Sequence, residues 1–150
     1  MLLPYRDENP TFHVPVVTIG IIVLCTVLSL GQLTLSDREE QQLALGFGMI
    51  PAVLFGTREL APSIPSADPW LTVITSMFLH GGLLHLAGNM VYLWVFGNNI
   101  EDAMGHVRYV VFYLLCGTVA ALTQAYVEPD STIPMIGASG AVSGVLGAYL

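Results

Sequence analysis

Charged residues are scarce in this chain of 150 residues, where Asp, Glu, Lys and Arg together make up only 10% of the sequence. Soluble domains usually carry about 25% charged residues, because water must solvate their surface. Hydrophobic residues reach 54%, and the mean hydropathy is +0.70. This composition excludes an ordinary soluble domain and predicts an all-α polytopic membrane protein.

Basic residues and cysteines are also few. Four Lys and Arg stand against eleven Asp and Glu, which gives a formal net charge of −7. This balance argues against a nucleic-acid partner, because phosphates attract cationic side chains. The two cysteines, Cys25 and Cys116, lie inside apolar stretches. We interpret them as small hydrophobic side chains, with a disulfide or a metal pair as the less favoured alternative.

Long apolar runs account for most of the chain. The first run reaches about 30 Å at 1.5 Å per residue, which matches one hydrocarbon core. The fourth run is still apolar where the sequence stops and is too short there to cross a bilayer, so we expect the membrane domain to continue beyond residue 150. The predicted organisation is an N-terminal tail at 1–13 and one membrane domain at 14–150, with spans at 14–33, 83–100, 109–127 and 137–150 onward.

The connection at 34–82 is long for a helical bundle, in which helix–helix loops usually have about 2–8 residues. Within it, the run from Leu43 to Phe55 is apolar but too short to span, and Gly46, Gly48 and Pro51 interrupt it. We expect this segment to lie in the membrane interface or to re-enter against other helices.

Polar residues inside the spans are the candidates for function, because a polar group in lipid is costly and usually faces the bundle interior. His85 and Asn89 are four positions apart and share one helical face, and His80 precedes them. Ser139 stands at the start of the fourth span. Spans two and four run in the same direction, so their first residues share one side of the membrane. The sequence therefore predicts that His80, His85 and Asn89 can meet Ser139, whereas His13 and His106 lie at the opposite surface.

A serine hydroxyl becomes a nucleophile when a base takes its proton and hydrogen-bond donors stabilise the oxyanion. Asn89, a neutral histidine and the free N–H groups at a helix start are suitable donors. Taken singly, His80 could be a capping residue, Asn89 an interhelical partner, and the glycines around Ser139 packing residues. A zinc protease is disfavoured, because no acidic residue stands between His80 and His85 as the H-E-x-x-H motif requires.

These residues resemble the rhomboid family of intramembrane serine proteases. The resemblance rests on His80-(x4)-His85-(x3)-Asn89 in the second span and on Gly137-Ala138-Ser139-Gly140 at the start of the fourth. The flanking segments 75–82 and 96–102 are similar to the family too, as is Arg6-Asp7-Glu8-Asn9-Pro10 to many bacterial members.

The resemblance implies a six-helix core, of which this chain holds the first four spans, and cleavage of transmembrane protein substrates near the membrane surface. It implies that Ser139 is the nucleophile and that His85, Asn89 and Ala138 form the oxyanion site. The supporting residues would be His80, Gly137 and Gly140. Glu101 matches an acidic residue of the family that helps to hold the far end of the assembly formed by the long first loop and the helices.

The general base of the family is a histidine in the sixth span, which the resemblance places beyond residue 150. The chain as given is therefore predicted to be inactive. The alternative is a rhomboid-like pseudoprotease that binds membrane helices without cutting them. The expected partners are transmembrane protein substrates and the lipid bilayer of a bacterial inner membrane. No cofactor and no metal ion is expected. The sequence gives no oligomeric state.

Overall fold

The computed structural model describes residues 12–150, so the similarity at Arg6–Pro10 lies outside the described residues. The fold is all-helical, as predicted, and within residues 12–150 it contains no strand beyond one isolated bridge. A short 3₁₀ turn is present at Ser76–Phe78. The helices are α1 (Val16–Gln32), α2 (Asp37–Phe47), α3 (Pro51–Leu54), α4 (Pro69–Thr75), α5 (Leu83–Met104), α6 (His106–Val127) and α7 (Ser139–Tyr149).

Helix α7 packs against both α5 and α6, and its small residues allow the close approach to α6. A Cβ atom at Gly140 would lie 2.5 Å from the Cβ of Ala120. One turn later, a Cβ at Gly144 would overlap the side chain of Cys116. Cys25 is buried in the core and both cysteines are free, in agreement with their interpretation as hydrophobic side chains.

The segment between the predicted spans 83–100 and 109–127 is almost entirely helical. Helix α5 continues to Met104, and only Gly105, with φ +77°, separates it from α6. The charges do not end the helix because Glu101 turns inward and is 1% exposed. Its carboxylate accepts hydrogen bonds from the N–H groups of Val17 and Thr18, at 2.9 and 2.7 Å. These are free groups at the start of α1, which has no side-chain cap of its own.

The long connection folds back onto the bundle. Ser36 and Glu39 form a capping box that starts α2. Beyond α2, Met49 and Met135 exchange two backbone hydrogen bonds of 3.0 and 2.8 Å, and the Ala52 N–H donates to the Ser131 carbonyl at 3.0 Å. The connection therefore rests on the segment that leads into α7. The two predicted alternatives, interfacial and re-entrant, both remain predictions, because the contacts fix its place in the protein and not in a bilayer.

By length and composition, one helix in the described part of the chain is suited to cross a membrane, α6 at His106–Val127. A second is added if the segment Pro69–Phe78 is counted together with α5, although the two meet at 80°. Helix α1 is apolar but has 17 residues, and α7 has 11. The count of four spans thus stays a prediction.

Candidate active site

A sharp break in the chain places the two histidines next to each other. The axis of the Pro69–Phe78 segment is bent by 80° from that of α5, and Gly82 takes φ +138° at the turn. This positive φ is open to glycine and strained for other residues. The break leaves His80 before α5 and His85 in its first turn. Their rings meet edge to face, with centroids 5.3 Å apart.

The two imidazoles have different surroundings. His80 is only 2% exposed, and within residues 12–150 neither of its ring nitrogens makes a hydrogen bond. His85 is exposed. His85 is therefore the imidazole that can reach a bound molecule, and His80 lies behind it as part of the protein interior.

The segment before α7 is held against the histidine pair. Gly137 has φ +127°, and its N–H donates to the carbonyl of Ser76 at 2.8 Å. A Cβ at Gly137 would lie 2.6 Å from Cε1 of His85. Only glycine fits here, both because of its backbone conformation and because the imidazole occupies the space.

A groove of about 430 Å³ separates α5 from α7 and contains three of the predicted site residues, His85, Asn89 and Ser139. Asn89 is 7% exposed, and its amide nitrogen has no hydrogen-bond partner within the described residues. Ser139 is the first residue of α7 and is exposed. Buried donors without partners are rare in proteins, so Asn89 has a hydrogen bond to offer to a bound molecule. The groove is lined by Leu84, His85, Gly88, Asn89, Tyr92, Ser139, Val142, Ser143 and Leu146.

Ser139 also borders a second, smaller cavity of about 50 Å³ on its other side, toward α6. Ser76, Gly137 and Gly140 contribute to its walls. This volume is enough for a few water molecules, since one needs about 10–15 Å³ by this measure.

Each of the seven predicted site residues therefore has a defined place. His85, Asn89 and Ser139 share the groove, and His80 stands behind His85. Ala138 is fully buried and precedes the first residue of α7, with its carbonyl accepting from the Val142 N–H at 2.9 Å. Gly137 packs against His85, and Gly140 packs against α6. The first supporting glycine therefore leaves space for the imidazole, and the second allows the two helices to approach. At the other end of α5, the rings of His13 and His106 pair with Asp102 and Glu101. Their predicted place at the opposite membrane surface stays a prediction.

Two residues near the site were missed by the sequence reasoning. Tyr92 lines the groove, and its spacing of seven from His85 was a usable signal for the same helical face. Gln32, a polar residue at the end of the first apolar run, contacts the backbone of His80. Its signal was the presence of a polar side chain in an apolar helix.

Comparison with known families decides the class of the protein. The family model described as the Rhomboid domain matches residues 67–150, which is more than half of the chain. The chain belongs to the rhomboid family. Rhomboid proteins are integral membrane proteins. The matched range includes the groove, both histidines of the pair and the whole of α7.

Similar proteins include both proteases and a protein named as inactive. The chain is 36% identical over 98 residues to rhomboid protease GluP of Bacillus subtilis, covering 65% of this chain and 18% of that protein. It is 32% identical over 81 residues to putative rhomboid protease YdcA of the same organism, covering 54% and 40%. It is 31% identical over 88 residues to inactive rhomboid protein 1 of Drosophila melanogaster, covering 59% and 6%. The chain thus spans less than half the length of each of these relatives.

Proposed function

We propose that the full-length protein is an intramembrane serine endopeptidase of the bacterial plasma membrane that cleaves transmembrane protein substrates near the membrane surface. The observation that carries the proposal is the groove in which Ser139, Asn89 and His85 meet. A nucleophile candidate at the start of a helix and an amide donor without a partner are the components that acyl transfer requires.

In the proposed reaction, Ser139 Oγ attacks the carbonyl carbon of the scissile bond while its proton passes to a base. The carbonyl oxygen becomes an oxyanion, which the Asn89 amide, His85 and the free N–H groups at the start of α7 stabilise. Collapse of this intermediate breaks the C–N bond, and the base returns the proton to the leaving amine. Water then hydrolyses the acyl-serine and frees the carboxylate.

The proposed base is the histidine that the family resemblance places in a later span. In the described residues, His85 is the imidazole in the groove, and we assign it to oxyanion binding. His80 is buried and does not line the groove, so we assign it no contact with the substrate.

The proposal is tested by labelling the full-length gene product in membranes with a fluorophosphonate probe. We expect the wild type to label and Ser139→Ala not to label. Ser143→Ala is the matched control, because Ser143 lies one turn later in the same groove and is expected to keep its label. Asn89→Ala should lower the rate of cleavage of a transmembrane substrate by about 10²–10³-fold, the effect of losing one oxyanion donor.

Equal labelling of the wild type and Ser139→Ala would overturn the proposal. A folded wild type that does not label but captures transmembrane helices on affinity beads would support the pseudoprotease instead. This second candidate is kept because one similar protein, from Drosophila melanogaster, is named as an inactive rhomboid protein.

A further inference from the structure

Gln32 is a buried polar side chain at the end of the apolar helix α1, where it is 7% exposed. Its amide nitrogen donates to the carbonyl oxygen of His80 at 3.2 Å. Its amide oxygen accepts from the N–H of the same residue at 3.4 Å. One side chain thus pairs with both backbone polar groups of a residue 48 positions away.

The break before α5 explains why these backbone groups need a partner. His80 lies between the 3₁₀ turn and α5, outside both helices. Buried backbone N–H and C=O groups require hydrogen bonds, most strongly where water is excluded. A primary amide carries a donor and an acceptor, so it matches a peptide group. Leu would satisfy neither group of His80, and Glu would satisfy only the N–H.

The ring of His80 has no hydrogen bond of its own to fix it within the described residues. The backbone of Phe78 lies near the ring, but its geometry does not meet that of a hydrogen bond. The position of the ring therefore follows from its packing and from the backbone that Gln32 holds. That ring in turn meets the ring of His85 edge to face, and Gly137 also lies close to His85.

We propose that Gln32 is a positioning residue for the candidate active site. By pairing with the His80 peptide it fixes the His80 ring, and the His80 ring sets the orientation of the His85 imidazole in the groove. Gln32 thereby links the end of α1 to the oxyanion side of Ser139, without touching a substrate. The kinetic consequence rests on the proposed protease function, whereas the orientation of His85 does not.

The test compares Gln32→Leu and Gln32→Glu with a matched control in the full-length protein. Ser29→Ala is the control, because Ser29 is a buried polar residue of α1, one turn earlier, with a hydroxyl that has no partner within the described residues. The first readout is NMR of ¹⁵N-histidine-labelled protein in micelles, with the His85 signals assigned by their loss in His85→Ala. The second is the separation of kcat from KM for a transmembrane substrate.

We expect Gln32→Leu to shift the His85 ring signals and to lower kcat by about 10–100-fold, the scale of a misplacement of about 1 Å, with KM changed less than about twofold. Gln32→Glu keeps the acceptor for the His80 N–H, so its effects should be smaller in both readouts. Ser29→Ala should change neither. Each variant is assayed at the same number of degrees below its own melting temperature, so that a loss of stability does not appear as a loss of activity.

Unchanged His85 signals in a folded Gln32→Leu protein would overturn the proposal. If Gln32→Leu does not fold, Gln32→Glu carries the test, and wild-type signals in that variant would overturn the proposal equally. If the wild type shows no protease activity, the proposed function fails, but shifted His85 signals in the Gln32 variants would still support the positioning role.

Discussion

Replacing Glu101 tests whether one carboxylate holds the start of α1. Its oxygen Oε2 accepts from the N–H and the hydroxyl of Thr18, both at 2.7 Å, and Oε1 accepts from the Val17 N–H at 2.9 Å. Nδ1 of His106 lies 2.6 Å from Oε1. A carboxylate in the last turn of α5 is disfavoured by that helix's own dipole, so the positive end of α1 must provide the compensation.

The size of the effect follows from the groups left without partners. In Glu101→Ala, three donors of Val17 and Thr18 lose their acceptor inside the protein. Each donor left unsatisfied inside the protein costs about 1–3 kcal/mol, so the loss of all three should cost at least about 3 kcal/mol. In Glu101→Gln, one amide oxygen still accepts, but the NH₂ group must face one of the two donor sites. One buried donor is then unsatisfied, which costs about 1–3 kcal/mol.

The assay is reversible unfolding of the full-length protein in mixed micelles, followed by circular dichroism at neutral pH. Glu128→Gln is the control, since Glu128 is exposed at the end of α6 and the same loss of charge should change stability by less than about 0.5 kcal/mol. We expect Glu101→Ala to lower the free energy of unfolding most, Glu101→Gln less, and Glu128→Gln least. If Glu101→Ala and Glu128→Gln had equal stability, the carboxylate would not hold α1 and the reasoning would be wrong.

Two further predictions concern helix packing and acid stability. Gly144→Val should clearly lower the melting temperature, because a side chain at this position overlaps Cys116 of α6. Gly147→Val is the control and should be tolerated, because no atom lies within 4 Å of its Cβ position. Equal melting temperatures of the two variants would contradict the packing. Hydrogen bonds from the Phe12 amide and the His13 side chain hold the pKa of Asp102 below its ordinary value. This stabilisation is present above about pH 4 and is lost as the pH falls through the lowered pKa, so Asp102→Asn should flatten the acid limb of a melting-temperature profile; an unchanged limb would refute it.

The helical segments could be predicted from the sequence because lipid-facing surfaces leave long apolar runs. The predicted span at 109–127 differs from α6 by three residues at its start, and that at 14–33 differs from α1 by two residues at its start and one at its end. The joint between α5 and α6 could not be predicted in this way. No pattern in the sequence predicts the burial of Glu101, for which only the family resemblance implied a structural role. Its burial depends on donors from α1, which are 83 and 84 positions away.

The proximity of His85, Asn89 and Ser139 could be predicted because alternate spans run in the same direction, which brings their first residues to one end of the bundle. Their common groove is a matter of helix rotation, and no pattern in the sequence fixes that rotation. The structure of the long connection at 34–82 could not be predicted from the sequence either. Its pairing between Met49 and Met135 uses backbone groups, which every residue carries and which leave no trace in side-chain patterns.

The backbone bonds at Ser131, Met135 and Gly137 also determine where the chain tolerates a change of length. Residues between the end of α6 and Ser131 form a turn whose internal backbone hydrogen bond runs from the Ser131 N–H to the Glu128 carbonyl, and we expect a longer loop to be tolerated there. The stretch from Met135 to Ser139 has a fixed length, because backbone hydrogen bonds hold Met135 and Gly137 in place. One residue inserted between Gly137 and Ser139 would change the distance along the chain from the Gly137 N–H, which is bonded to the Ser76 carbonyl, to the serine at the start of α7. Insertions and deletions among proteins of this kind are therefore expected ahead of Ser131, and the four-residue step from Met135 to the serine should keep its length.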